Sequence, residues 1–206
     1  VSIQDKSSMM VAHIMKLGRD DKVLDACSAP GGKACHMAEI LSPEGQVDAT
    51  DIHLHKIDLI QHNIKKLKLD NIHAFQHDAT EPYKEMYDKI LVDAPCSGLG
   101  VLRHKPEIKY TQTQDSIQSL VDLQLQILEN IKHNIKSGGT ITYSTCTIEQ
   151  MENENVIYTF LKQNEEFEFE PFQHPVTGKQ VKTLQILPQD FDSDGFFITQ
   201  IKRKES

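Results

Sequence analysis

Apolar residues follow two rhythms along this chain. Short apolar runs closed by turn residues alternate with longer stretches whose apolar positions recur three or four residues apart. The short runs predict strands over 22–26, 46–50, 72–76, 89–93 and 140–144. The longer stretches predict helices over 33–41, 54–67, 115–135 and 151–161. In the second of these, Ile57, Ile60, Ile64 and Leu67 form one stripe with lysines between them. A helix over roughly 6–17 precedes the alternating unit and packs outside it. Two closing strands over 167–170 and 196–202 are expected to pair antiparallel. Ser137-Gly138-Gly139 reads as the C-terminal cap of the long helix. The polar stretch 173–180 reads as a loop. Strands alternating with helices imply right-handed crossovers and a mostly parallel sheet covered on both faces, an α/β architecture.

At 206 residues the chain suits one domain with a sizeable core. It shows no internal repeat, no low-complexity tract, no secretory leader and no apolar run of membrane-spanning length. Its net charge is −8, from 22 Lys plus Arg against 30 Asp plus Glu. That argues against a dedicated nucleic-acid-binding module, though an enzyme can meet nucleic acid through one local patch. Cys27, Cys35, Cys96 and Cys146 are far from CxxC spacing. They indicate neither a zinc ribbon nor a secreted disulfide framework, so a reducing cytoplasm is the expected setting. His53 and His55, two apart, would point to different faces of a helix, and no metal site is expected. Nothing in the pattern calls for an obligate dimer, and a monomer is expected.

The first strand–turn–helix is the most readable ligand element. Asp25-Ala26-Cys27-Ser28-Ala29-Pro30-Gly31-Gly32-Lys33 is a glycine turn opening a helix. It lacks the GxGxxG fingerprint and the P-loop pattern, so it approaches a ligand closely without a full phosphate cradle. S-adenosylmethionine, which has no phosphate and carries a cationic sulfonium, fits such a turn. Asp51 ends the second strand, where an acidic side chain accepts from ribose hydroxyls. Asp78 follows the third strand and could meet the adenine amino group. Each of these aspartates, taken singly, equally suits a helix cap or a loop.

Cys96 and Cys146 each close an apolar run, in Ile90-Leu91-Val92-Asp93-Ala94-Pro95-Cys96 and Thr140-Ile141-Thr142-Tyr143-Ser144-Thr145-Cys146. The carboxyl ends of strands in an open α/β sheet form the ligand rim. Two thiols there suggest covalent chemistry more than packing. Cys35, on a helix, reads as a small buried apolar residue, and Cys27 contributes backbone more than sulfur.

Taken together and in this order, the segments 25–33, Asp93-Ala94-Pro95-Cys96-Ser97-Gly98 and Ser144-Thr145-Cys146-Thr147 resemble the RNA cytosine carbon-5 methyltransferases of the Sun/RsmB/NOP family. Within that family the likeness is to bacterial members that modify small-subunit ribosomal RNA. It runs from Ser2-Ile3-Gln4-Asp5-Lys6-Ser7-Ser8, which looks like the lead-in to the catalytic domain, to Asp194-Gly195-Phe196-Phe197, which looks like the closing strand. The resemblance implies a Rossmann-like class I methyltransferase fold with a seven-stranded sheet. It implies one catalytic domain over 1–206, apart from the N-terminal RNA-binding domain that full-length bacterial members carry. S-adenosylmethionine is the implied methyl donor and RNA, specifically small-subunit rRNA, the implied partner. By motif the cofactor falls to Cys27, Ser28, Ala29, Pro30, Gly31, Gly32, Lys33, Asp51, Asp78 and Asp93. Cys146 becomes the nucleophile and Cys96 the helper in product release.

The chemistry needs those residue types. Carbon 5 of cytosine is a poor nucleophile until a thiolate adds to carbon 6. Cys146 must therefore ionise readily, and a nearby lysine or the cationic cofactor could lower its pKa. Asp93, in protonated form, could hydrogen-bond ring nitrogen 3 and stabilise charge as the thiolate adds. The target base must lie outside a stack. Arg103, His104, Lys105 and Lys109 in the following loop read as a local phosphate-contacting patch, or equally as a solvated loop. Two other readings remain: a methyltransferase for DNA cytosine or protein, the DNA enzymes being expected to use the Pro-Cys thiol, here Cys96; and a non-catalytic S-adenosylmethionine-binding scaffold in ribosome assembly.

Overall fold

Val23 and Leu24 are adjacent in sequence yet pack into different cores. The same split separates Leu91 from Ile90 and Val92, and Phe197 from Phe196 and Ile198. This two-residue period is what a strand buried on both faces produces. The computed structural model describes residues 6–190 and 193–205, so residues 2–5 of the expected lead-in lie outside the described residues.

The elements in order are α1 (Lys6–Ile14), β1 (Lys22–Asp25), α2 (Gly32–Ile40), β2 (Gln46–Asp51), α3 (Leu54–Leu67), β3 (Ile72–Gln76), β4 (Tyr87–Asp93), α4 (Ile108–Thr111), α5 (Gln114–Ile131), β5 (Ile135–Thr145), α6 (Glu154–Gln163), β6 (Phe167–Phe169), β7 (Phe172–Gln173), β8 (Gln180–Val181), β9 (Thr183–Ile186) and β10 (Phe196–Arg203), with a single 3-10 turn at Leu99–Val101. The main sheet runs β3-β2-β1-β4-β5-β10, and β10 carries both β9 and β6 on its outer edge. Strands β1 to β5 are parallel, and β10 runs antiparallel to β5, β6 and β9. The sheet is thus seven positions wide with eight strands, because β9 and β6 share the last position. This is the expected Rossmann-like, mostly parallel arrangement. Among the described residues no helix is long and apolar enough to cross a membrane.

Helices α1, α2 and α3 cover one face through Val11, Ile14, Met37, Ile57 and Ile60. Helices α5 and α6 cover the other through Ile127, Leu128, Ile131, Ile157 and Phe160. Each such side chain, fully buried, contributes roughly 1.5–3 kcal/mol. Helix α5 starts on a capping box in which Thr113 and Ser116 exchange side-chain-to-backbone bonds. Order reverses at β1, with β2 on one side and β4 on the other, so a crevice opens at the carboxyl ends of these strands.

Three local expectations are corrected. The long helix ends at Ile131, and Ser137-Gly138-Gly139 lies inside β5. Asn134 breaks the helix because β4 and the segment leading into it claim its polar groups: its amide donates to the carbonyls of Tyr83 and Glu85 at 2.9 and 2.7 Å, and its carbonyl accepts from Tyr87 N–H at 2.8 Å. The glycines then form a bulge, since pairing jumps from Tyr87↔Ile135 to Lys89↔Thr140. Gly138 sits there at φ 75°, a conformation a side chain would strain. The second correction is that 173–180 is the tip of a small hairpin, with Phe172↔Val181 and Gln173↔Gln180 paired. Third, Thr183–Ile186, assigned no element from sequence, is strand β9 with Leu184 and Ile186 buried.

Candidate active site

The turn after β1 is fixed from both neighbouring strands. Ala26 N–H donates to the Leu91 carbonyl at 3.0 Å, and Ser28 N–H to the Thr50 carbonyl at 2.7 Å. Gly31, at the N-cap of α2, closes the turn onto the Ser28 carbonyl at 2.7 Å. Above this turn lies a cavity of about 430 Å³. Ala26, Ala29, Ile52, Ala79, Leu123 and Ile127 give it apolar walls, and Asp51, Asp78 and Asp93 contribute carboxylates. His53 and Lys56 also line it, and Lys56 lies 3.6 Å from Asp51. Flat apolar walls and acidic edges suit a purine, a sugar diol and a positive charge better than a phosphate.

Among the motif residues expected at the cofactor, Cys27, Ala29, Asp51, Asp78 and Asp93 line this cavity. Ser28, Pro30, Gly31, Gly32 and Lys33 are not part of its lining. The first four shape the turn, and the Lys33 side chain runs to Asp93. Asp51 and Asp78 also hold their own turns, accepting from His53 N–H at 3.0 Å and from Thr80 N–H at 2.9 Å. Both of the readings left open for these aspartates therefore have geometric content.

Cys96 and Cys146, 50 residues apart, meet with their sulfurs 3.4 Å apart. β4 and β5 are adjacent and in register at Asp93↔Ser144, so the turns after them converge. The two thiols are driven apart electrostatically. Cys96 is pushed well above its ordinary range, first by its hydrogen bond with Cys146 and then by burial. Cys146 is pulled below its ordinary value, first by the hydrogen bond from Cys96; burial and Asp93 oppose this, and the Lys33 ammonium assists. Cys27 moves the other way, raised by burial and by the charges of Asp25, Asp93 and Asp51. Cys35 is buried in the core, as expected.

Lys33 Nζ donates to Asp93 Oδ2 at 2.7 Å, and Ser144 Oγ to Asp93 Oδ1 at 2.7 Å. Asp93 is thus an acceptor at both oxygens. A protonated Asp93 donating to a base, the role expected from sequence, would carry its proton on one of these oxygens while the other remains an acceptor. Burial works against the Lys33 charge, but the charge and hydrogen bond of Asp93 prevail and hold its pKa above the ordinary value.

Sequence reasoning missed two carboxylates. Asp25, at the end of β1, is 1% exposed, and neither side-chain oxygen has a hydrogen-bond partner. Burial, then the charge of Asp93, push its carboxyl up to about 7 against the pull of Lys33. Its motif position was visible, but its isolation was not. Glu152, fully buried beyond β5, binds Ser97 next to Cys96. No spacing signal links positions 97 and 152.

The loop after Cys96 is pinned to Cys146: Gly100 N–H donates to the Cys146 carbonyl at 3.0 Å, and its own carbonyl accepts from Gly195 N–H at 2.9 Å. A Cβ on Gly100 would lie 2.1 Å from the Gly195 carbonyl oxygen, so only glycine fits. Arg103, His104 and Lys105 follow directly and are exposed. His104 Nε2 lies 3.4 Å from Asp194 Oδ1. Lys109 lies on α4, whose end is tied back by Gln112 Nε2 donating to the Ser97 carbonyl at 3.2 Å. Among the described residues no group of three or more His, Cys, Asp or Glu side chains is placed to hold a metal ion.

Comparison with known proteins places this geometry in context. A family profile described as 16S rRNA methyltransferase RsmB/F matches residues 12–202. A probable ribosomal RNA small subunit methyltransferase B of Bacillus subtilis is 44% identical over 214 residues, covering 99% of this chain and 48% of that protein. The corresponding Synechocystis protein is 37% identical over 211 residues, covering 98% and 47%. The chain therefore spans about half the length of the curated relatives it matches. The crystal structure of NSun6 from Pyrococcus horikoshii with SFG superposes with a TM-score of 0.87 at 29% identity, covering 98% of this chain and 53% of that one.

Proposed function

Because this chain belongs to the 16S rRNA methyltransferase RsmB/F family, we propose that it transfers a methyl group from S-adenosylmethionine to carbon 5 of a cytosine in small-subunit ribosomal RNA, through a covalent bond between Cys146 and the base. The observation that carries this reading is the thiol pair: two sulfurs 3.4 Å apart, one driven towards thiolate and the other away from it.

The cavity suits the donor. Asp51 and Asp78 would take the ribose hydroxyls and the adenine amino group, and Asp93 lies where a cationic sulfonium is welcome. SFG, an analogue of S-adenosylmethionine, accompanies the NSun6 structure that this chain resembles. When bound, S-adenosylmethionine supplies an electrophilic methyl group. Everything else falls to the chain. The Cys146 thiolate adds to carbon 6 of a flipped-out cytosine, making carbon 5 nucleophilic. The Lys33–Asp93 pair stands beside the reacting sulfur: Lys33 favours its ionised form, and Asp93 is an acceptor for the exocyclic amino group of the base. After carbon 5 takes the methyl, its proton passes to a water molecule acting as base, the C–H electron pair restores the 5,6 double bond, and Cys146 departs as thiolate. Cys96, within hydrogen-bonding distance of that sulfur, assists release. The exposed Arg103, His104 and Lys105, with Lys109, hold the RNA backbone near the thiols.

The asymmetry of the thiols favours Cys146 over Cys96 as nucleophile, against the pattern expected of DNA cytosine enzymes. The test is a denaturing gel of labelled, unmodified ribosomal RNA incubated with the chain and S-adenosylmethionine. Cys146→Ala should abolish the adduct, and Cys96→Ala should let it accumulate. The reverse pattern would exchange the two roles. Cofactor binding with neither adduct nor methyl transfer would leave a scaffold.

A further inference from the structure

Building on the assignment of Cys146 and Cys96 above, we propose that Glu152 is a positioning residue whose buried carboxylate ties the Cys96 segment to the Cys146 segment and holds the two sulfurs together. Glu152 lies six residues beyond Cys146, between β5 and α6, and is 0% exposed. Its Oε2 accepts from Ser97 N–H at 2.8 Å and from Gln124 Nε2 at 3.1 Å, and its Oε1 accepts from the Ser97 hydroxyl. The Ser97 hydroxyl also lies 2.9 Å from that of Thr147. The residue after each thiol is thereby joined at one anchor. Gln124 brackets Cys96 from the other side by donating to the Pro95 carbonyl at 2.9 Å. The anchor is itself fixed, since Tyr143 Oη donates to the Glu152 carbonyl at 2.7 Å.

A carboxylate is buried at heavy cost unless its oxygens are satisfied, and here three donors satisfy them. Two of those donors belong to Ser97, beside Cys96, and the third to Gln124 on α5, while Thr147, beside Cys146, joins through the Ser97 hydroxyl. Glu152 does not line the cavity, and its side-chain hydrogen bonds run to Ser97 and Gln124 rather than to either sulfur. It acts through Cys96, whose hydrogen bond is the first cause of the low Cys146 pKa. The other charged groups acting on Cys146 are Lys33 from α2 and Asp93 from β4, which bond to each other and to Ser144 and not to Glu152.

The experiment measures the pH dependence of iodoacetamide alkylation at Cys146, followed by mass spectrometry of its peptide, without RNA. Glu152→Ala should raise the midpoint by about one pH unit, slowing alkylation at neutral pH about tenfold. Glu152→Gln, which can still accept from Ser97 and Gln124, should restore most of the rate. In a Cys96→Ala background Glu152→Ala should add no further shift. An equal shift in both backgrounds, or none in either, overturns the proposal. Should Glu152→Ala not fold, Ser97→Ala is read by the same comparison. Because no RNA is present, this outcome is separate from the adduct test of the catalytic roles.

Discussion

Asp25→Asn should stabilise the protein at high pH and do little at low pH. The carboxyl is 1% exposed with both oxygens unpartnered, and its pKa rises from 3.8 to about 7 on folding. The folded state therefore binds its proton more tightly than the unfolded state. Between these two values the fold holds a proton that the unfolded chain has lost, so stability falls as pH rises, by about 1.4 kcal/mol per unit. Over the whole interval the cost is about 4 kcal/mol, complete above about pH 7. Asparagine has the same shape and never ionises, and the cost of burying its amide is the same at every pH. Urea unfolding of both proteins at pH 5 and pH 8 isolates the effect. The advantage of the variant should grow by about 3 kcal/mol between them, or roughly 10 °C in Tm for a chain of this size. Equal differences at the two pH values would mean that Asp25 ionises freely in the fold, and the account of its burial would be wrong.

Other changes probe the frame of the site. Gly100→Ala forces a Cβ to within 2.1 Å of the Gly195 carbonyl oxygen and 2.7 Å of the Cys146 carbonyl oxygen. Backbone must move, so we expect a loss of about 2–3 kcal/mol in denaturant unfolding together with slower adduct formation; unchanged stability would contradict the contact. Arg103→Gln with Lys105→Gln should raise KM for RNA, leave kcat unaltered and flatten the salt dependence of binding by roughly one unit of log–log slope per residue. A salt slope identical to that of the unmodified chain would remove the patch from the RNA path.

Much of the fold was legible because its cues are local. The helical stripe of Ile57 and Ile60 predicted α3 with the bounds observed, Leu54–Leu67. The apolar runs before Asp93 and Cys146 predicted β4 and β5 at the carboxyl ends that matter. Glycine misled where it carries two meanings: Gly138 and Gly139 punctuate a bulge as readily as a helix end. Only the pairing of Tyr87 with Asn134 and Ile135 decides between them. Strand β9 offers only Leu184 and Ile186 as buried apolar positions, and its pairing beside β10 is a property of the sheet.

The site divides along the same line. Residue type and order alone supplied the glycine turn, the acidic strand ends and the two cysteines, because each is fixed by neighbours within a few positions. Tertiary structure decided that Lys33 reaches Asp93, that Asp25 has no partner and that Glu152 clasps Ser97 from 55 residues away. Those facts depend on distance and burial between segments far apart in the chain. A linear pattern carries neither.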